Sequence, residues 1–285
     1  MRNLLFTLVL LTTIFSFAQS SDSSKDLLTN TEWINKDLDY LRFDNDAVIY
    51  NFDNNKQEVF FDLENKNLSF KVNYRVGGVD FRTEEFKFKI KELKKDKLIL
   101  EPIVDKEKSD NNDYKKLDYN LFSKEKQYVF YNRGSLLSTV NFKKITFHSS
   151  TCFGTCPSMS IQINIDGTVY YQGGAYVDDF KGNFEGKLSK NDIYELKKIM
   201  NRSQLKSINE NWEQKSKPND TPRYTYIIEI FDGETIEINT NDQHPILDKL
   251  SDFLLHISDK AELNKVKSKH QFDKSKIDIY RSAQD

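Results

Sequence analysis

Ser160-Ile161-Gln162-Ile163-Asn164-Ile165-Asp166-Gly167-Thr168-Val169-Tyr170-Tyr171-Gln172 decides how the second half of this chain folds. From Ser160 to Ile165 polar residues alternate with isoleucine, the period of a strand with one face turned to a core. Asp166-Gly167 reads as a two-residue hairpin turn, because glycine accepts left-handed dihedrals, and Thr168 to Gln172 returns. Gly173-Gly174 then marks a bulge or a close backbone approach. Another strand covers about Gly182 to Leu188. Upstream, Phe142 to Phe147 reads as a strand that leads into a cysteine loop.

Two helices accompany these strands. Ser189, with Asp192 three residues on, forms a near capping box. Ile193, Leu196, Ile199 and Met200 then share one helical face. Asn209 to Pro222 reads as a polar loop around Trp212. Tyr226 to Phe231, Asp232-Gly233 and Glu234 to Ile238 make a second hairpin of the same kind. Pro245 opens the second helix, where its missing N–H costs nothing, and Ile246, Leu247, Leu250, Phe253, Leu254 and Ile257 face the core. Residues 140–258 are therefore expected to be an α+β domain of two hairpins and two helices. Residues 259–285 are lysine-rich and polar, and are expected to be a tail, frayed or disordered.

Residues 29–132 carry a different pattern. Leu38 to Phe43 and Ala47 to Phe52 flank the turn-forming Asp44-Asn45-Asp46. Val59 to Leu63, Leu68 to Tyr74, Phe86 to Lys91, Leu98 to Ile103, Leu117 to Phe122 and Tyr128 to Tyr131 complete about eight strands. Even strands separated by polar turns predict a β-meander or small barrel, so the whole chain reads as mainly β with an α+β second domain. Lys87, Lys89 and Lys91 alternate with apolar residues and read as a solvated outer face. Trp33, followed by Leu41-Arg42-Phe43-Asp44-Asn45-Asp46, resembles the start of small lipocalin-like domains of secreted bacterial proteins. That resemblance implies a barrel that either encloses a ligand cavity or is filled by side chains.

Residues 1–18 read as a signal peptide: Arg2, the apolar run Leu4 to Phe17, then small residues at Ser16 and Ala18, with cleavage expected before Gln19. The mature protein is expected to be exported, periplasmic or extracellular, with no transmembrane segment left after cleavage. Basic and acidic residues number 42 and 44, a balance that excludes the basic excess of a nucleic-acid binder. With 21 Phe and 14 Tyr against 5 Pro, the composition favours sheets over disorder.

The only two cysteines lie in Thr151-Cys152-Phe153-Gly154-Thr155-Cys156-Pro157. Four readings are open: a structural disulfide, a redox pair, a metal site and idle thiols. An oxidising compartment favours a Cys152–Cys156 disulfide, with Gly154 and Pro157 shaping the loop. A redox pair calls for a helix N-terminus, whereas a strand follows Pro157. Metal binding would draw on His148, Cys152 and Cys156, a set suited to Cu(I). His148 also reads as an ordinary strand-end residue, and His244 as a cap before Pro245. No Gly-x-Ser-x-Gly, His-Glu-x-x-His or phosphate loop occurs. Asp178, Asp179 and Asp220 read as solvated turn acids, and Trp212, Tyr170, Tyr171 and Tyr176 as packing aromatics.

Cys152-Phe153-Gly154-Thr155-Cys156-Pro157, the Asp166-Gly167 hairpin, Asp220-Thr221-Pro222 and the helix from Pro245 resemble domain-of-unknown-function family 6438. The resemblance implies a domain found in exported bacterial proteins, with no assigned activity or catalytic residues. Together these readings point to a non-catalytic binding or interaction protein of the cell envelope. It would need no cofactor, and its partner would be an envelope protein or small ligand. The alternative is a thiol redox or metal-handling protein.

Overall fold

The computed structural model describes residues 25–53, 55–76, 80–104, 122, 124–212 and 220–276. The signal-peptide reading of residues 1–18 lies outside them. The chain divides into two units, Met1–Leu136 and Leu137–Asp285.

The first unit is a closed antiparallel barrel. Its strands are β1 (Glu32–Ile34), β2 (Tyr40–Asp44), β3 (Ala47–Phe52), β4 (Asn55–Glu64), β5 (Asn67–Val76), β6 (Asp80–Leu93), β7 (Lys97–Ile103) and β8 (Tyr128–Asn132). Each pairs with the next, and β1 closes onto β8. The eight strands differ from the expected set. Trp33 lies inside β1 rather than ahead of the first strand. The strand expected at Leu117 to Phe122 falls outside the described residues except for Phe122.

Strand alternation sends Phe86, Phe88 and Ile90 inward and leaves Lys87, Lys89 and Lys91 in solvent, where Lys87 pairs with Glu85 and Lys91 with Glu101. The interior is filled with rings. Phe122 sits among them, its centroid 4.8 Å from Phe86, 5.1 Å from Tyr50, 5.2 Å from Phe52 and 5.7 Å from both Phe70 and Phe88. Of the two outcomes open to such a barrel, this one is packed by its own side chains. One charged pair is buried with it. Arg133 Nη1 donates to both Glu32 oxygens at 3.1 Å, and Tyr40 donates its hydroxyl to Glu32 Oε1 at 2.9 Å. Burial, and then the Glu32 charge, hold the Tyr40 phenol far above its ordinary range.

The second unit is a seven-stranded antiparallel sheet with helices. It contains β9 (Phe142–Ser149), β10 (Met159–Asn164), β11 (Thr168–Gly173), β12 (Gly182–Lys187), β13 (Tyr224–Ile230), β14 (Thr235–Thr240) and β15 (Glu262–Lys265). The spatial order is β14-β13-β9-β10-β11-β12-β15. Helices α1 (Lys190–Arg202), α2 (Leu205–Asn211), α3 (Asp248–Leu255) and α4 (Ile257–Lys260) supply apolar residues such as Leu196, Met200, Ile208, Leu250 and Leu254 to the core. Ser189 Oγ accepts the Asp192 N–H and caps α1, as its spacing predicts.

Four local expectations change. The strand from Ser160 stops at Asn164, so the hairpin turn has three residues, with Gly167 at φ +90°. Gly167 N–H donates to Asn164 O, and the β13–β14 hairpin repeats the device with Gly233 at φ +91°. The supposed loop from Asn209 begins inside α2, and Trp212 is buried. Finally, the described part of the polar tail is not frayed throughout: residues 262–265 form β15 against β12.

Candidate functional site

Strand periodicity gives the second sheet two unlike faces. Ile145, Phe147, Ile161, Ile163, Val169, Tyr171, Tyr226, Ile228, Ile236 and Ile238 are buried in the core. Their alternates are mostly polar, and the registers line them up. Asn183, Gln172, Ser160, His148, Thr225 and Asn239 are directly opposed across β12, β11, β10, β9, β13 and β14. The next row on the same face is Glu185, Tyr170, Gln162, Thr146, Ile227 and Glu237.

The chain after β15 crosses this face along the second row. Ser268 Oγ donates to Glu185 Oε1 at 3.4 Å. The His270 ring stacks on Tyr170, 3.9 Å between centroids and 6° from parallel, and its Nε2 meets Gln162 Oε1 at 3.1 Å. Asp273 Oδ2 accepts from Thr146 Oγ1 at 3.0 Å and from Lys144 Nζ at 2.8 Å. Ser275 Oγ and Lys276 N–H both donate to Glu237 Oε1 at 2.5 Å. Eight residue steps in extended form reach about 26 Å, and five strand spacings need about 24 Å. The segment is therefore a taut strap laid across the strands. It also touches the first row, where Asp273 O meets His148 Nε2 at 2.7 Å and Asn239 Nδ2 donates to Ser275 Oγ at 3.2 Å, and Thr225 and Asn239 are buried.

Between that first row and the strap lies a cleft of about 660 Å³, lined by His148, Ser160, Gln172 and Thr225 from the sheet and by 269–272, Lys274 and Ser275 from the strap. That volume falls within the range of small-molecule sites. Hydrogen bonds fix the floor. His148 Nε2 lies 2.7 Å from Asp273 O, a carbonyl that can only accept, so Nε2 carries the proton. His148 Nδ1 is then the acceptor for the Ser160 hydroxyl at 2.8 Å. Thr225 Oγ1 donates to Asn239 Oδ1 at 3.2 Å, and Gln172 Nε2 to Asn183 Oδ1 at 3.1 Å.

A serine bonded to an imidazole is the start of a nucleophile and base pair. Here Ser160 sits in a central strand, paired with β9 on one side and β11 on the other. The surrounding backbone N–H groups belong to those ladders, so they cannot converge on a developing oxyanion. The row can grip a ligand by hydrogen bonds.

Cys152 and Cys156 form a disulfide with Cα atoms 5.5 Å apart. Neither opens a helix, since β10 follows Pro157. His148 is engaged by Ser160 and Asp273, and the cysteines do not line the cleft. The loop is held from outside: Ser149 Oγ donates to Pro157 O at 2.6 Å, and the Phe153 N–H donates to Asp220 Oδ1. Gly154 has no left-handed backbone, and a Cβ there would meet Cys152 Sγ at an ordinary 3.7 Å. Phe153 projects from the loop, 93% exposed.

The other sequence candidates scatter. His244 Nδ1 accepts the Ile246 N–H as a cap. Asp178 and Asp179 lie in an exposed turn. Trp212 packs beside His244, Tyr171 is in the core, Tyr170 lies under His270, and Tyr176 is exposed. Sequence reasoning missed the cleft. The alternation of Ser160, Gln162 and Asn164 disclosed a polar face, but the strap from the supposed tail was not foreseen.

No curated protein matches the chain. A family model does: the Domain of unknown function (DUF6438) matches residues 143–259, which lie within the second unit.

Proposed function

We propose that this is an exported binding protein of the cell envelope that takes up a small polar ligand in the second unit, between the first polar row and the strap. The observation that carries the reading is the cleft of about 660 Å³, into which His148, Ser160, Gln172 and Thr225 converge from four strands. The strap bonds this row at His148 and Asn239 and still leaves a cleft beside it. The ring-filled barrel supports assigning ligand binding to the second unit rather than the first. Export is supported by the Leu4 to Phe17 run with Ala18 behind it, and the mature N-terminus is expected at Gln19.

The test is non-denaturing mass spectrometry of the mature protein taken from its native envelope. A bound small molecule is expected in the wild type and absent in Gln172→Trp, whose indole fills the cleft floor. A bare wild-type protein, or a variant that retains the same adduct, overturns the reading. Turnover of an ester that disappears in Ser160→Ala would replace binding with catalysis.

A further inference from the structure

We propose that the cleft takes a small hydroxylated organic anion of the sugar-acid type, with its negative group at Lys269 and Lys274 and its hydroxyls on the Ser160 to Thr225 row. This rests on the cleft being the binding site.

The charge argument comes from the lining. Among the described residues no carboxylate lines the cleft, while two lysines do. The acids nearest the strap are already engaged. Asp273 takes Thr146 and Lys144, Glu237 takes Ser275 and the Lys276 N–H, and Glu185 takes Ser268. Lys269 and Lys274 have no ion-pair partner among the described residues. An entering group therefore meets two exposed lysines on the strap side that form no ion pair among the described residues.

The hydroxyl argument comes from the floor. Ser160 spends its proton on His148 Nδ1, and Thr225 spends its own on Asn239, so both present lone pairs to the cleft. Gln172 gives one N–H to Asn183 and keeps a second N–H and its carbonyl. The floor thus offers Gln172 and Ser160 on neighbouring strands, about 4.8 Å apart, and Thr225 two spacings from Ser160, about 9.6 Å, across the fully engaged His148. Alternate hydroxyls around a six-membered sugar ring match the first of these separations, and a substituent on the ring would have to reach Thr225. Phe272 adds an apolar wall against which the ring carbons can lie. A neutral polyol would leave the lysines unanswered, and a simple aliphatic acid would leave the row unanswered. A hydroxylated acid satisfies both.

The experiment is NMR titration of the mature full chain with galacturonate, its methyl ester and acetate. Galacturonate is expected to shift the amide signals of Ser160, Gln172, Thr225 and Lys274. The ester and acetate should each bind at least about tenfold more weakly, equivalent to about 1.4 kcal/mol. Lys269→Ala with Lys274→Ala, both exposed, should reproduce the loss, and salt should weaken the wild type. Equal binding of acid and ester overturns the charge assignment and leaves the cleft as the binding site. Binding of acetate as tight as galacturonate overturns the role of the row. If no probe shifts these signals, the sugar-acid class is wrong. The cleft reading itself then stands or falls on the Gln172→Trp adduct.

Discussion

The barrel interior and the polar face of the second sheet are both enclosed by β-strands, and they spend that enclosure in opposite ways. In the barrel, alternation turns aromatic rings inward until Phe122 fills the centre. Closing the sheet also removes its edges, and among the described residues the interior is taken up by side chains. In the second unit the apolar side is used up by helices, and the side left over carries hydroxyls, amides and imidazoles in register. Its cover is a single extended strand of chain, held by side-chain hydrogen bonds and one stacked ring pair. A packed interior stabilises, whereas a polar face covered by a narrow strap leaves donors and acceptors within reach of a ligand. The difference lies in what covers the face rather than in the strands.

The sharpest way to break this contrast is to empty the barrel. Phe122→Ala removes a ring that touches five others and should cost about 3–5 kcal/mol. Denaturant unfolding of the full chain in a Trp212→Phe background, followed by Trp33 fluorescence, gives the number. A cost below about 1 kcal/mol would mean that the interior is loosely filled and able to host a guest. The same variant should leave the NMR signals of the cleft row unchanged.

The strap comes next. Asp273→Ala deprives Thr146, whose side chain is fully buried, of its acceptor, and frees Lys144 from one of two carboxylates. Leaving a buried hydroxyl unmet costs about 1–3 kcal/mol. Hydrogen exchange should show the strap losing protection before the sheet does. If exchange from 266 to 276 is already fast in the wild type, the strap does not form the wall assigned to it.

How much of this was legible depended on the range of the interactions. Period-two alternation and the glycine turns are local, so the strands around Ser160 and Tyr226 could be read from the sequence. The cap at Ser189 and the proline at 245 are local as well. The polar row could not be assembled, because it requires β13 to dock beside β9, about 75 residues away in the chain. The strap was less legible still. Lys267 to Lys276 have the composition of a tail, and their order comes from partners on five other strands. The disulfide lies outside the lining of the cleft.

That last point gives a smaller effect to measure. Replacing both Cys152 and Cys156 with serine should lower the stability of the second unit by only about 2 kcal/mol, because the closed loop is short. Affinity for a cleft ligand should be unchanged. A fall of about tenfold or more would tie the Phe153 loop to the site and erase the distinction between a shaping bridge and a binding row.

The smallest effect concerns pH, and it separates the two ends of the strap. Desolvation lowers the His270 pKa below its ordinary 6.5, ahead of the opposing pull of Glu185 and Asp273. A depressed histidine favours the folded form while it is neutral. The contribution is therefore complete above pH 6.5 and is lost as pH falls through the lower folded value. Asp273 is held below its ordinary 3.8 by Lys144 and Thr146, against the burial that would raise it. Its contribution persists until pH drops below 3.8. On acidification the strap should let go at His270 first, with the Tyr170 stack loosening while the Asp273 anchor still holds. NMR titration of the two side chains checks the order. A single concerted transition would mean that the strap detaches as one unit, and that the wall of the cleft is set by its weakest contact rather than by its strongest.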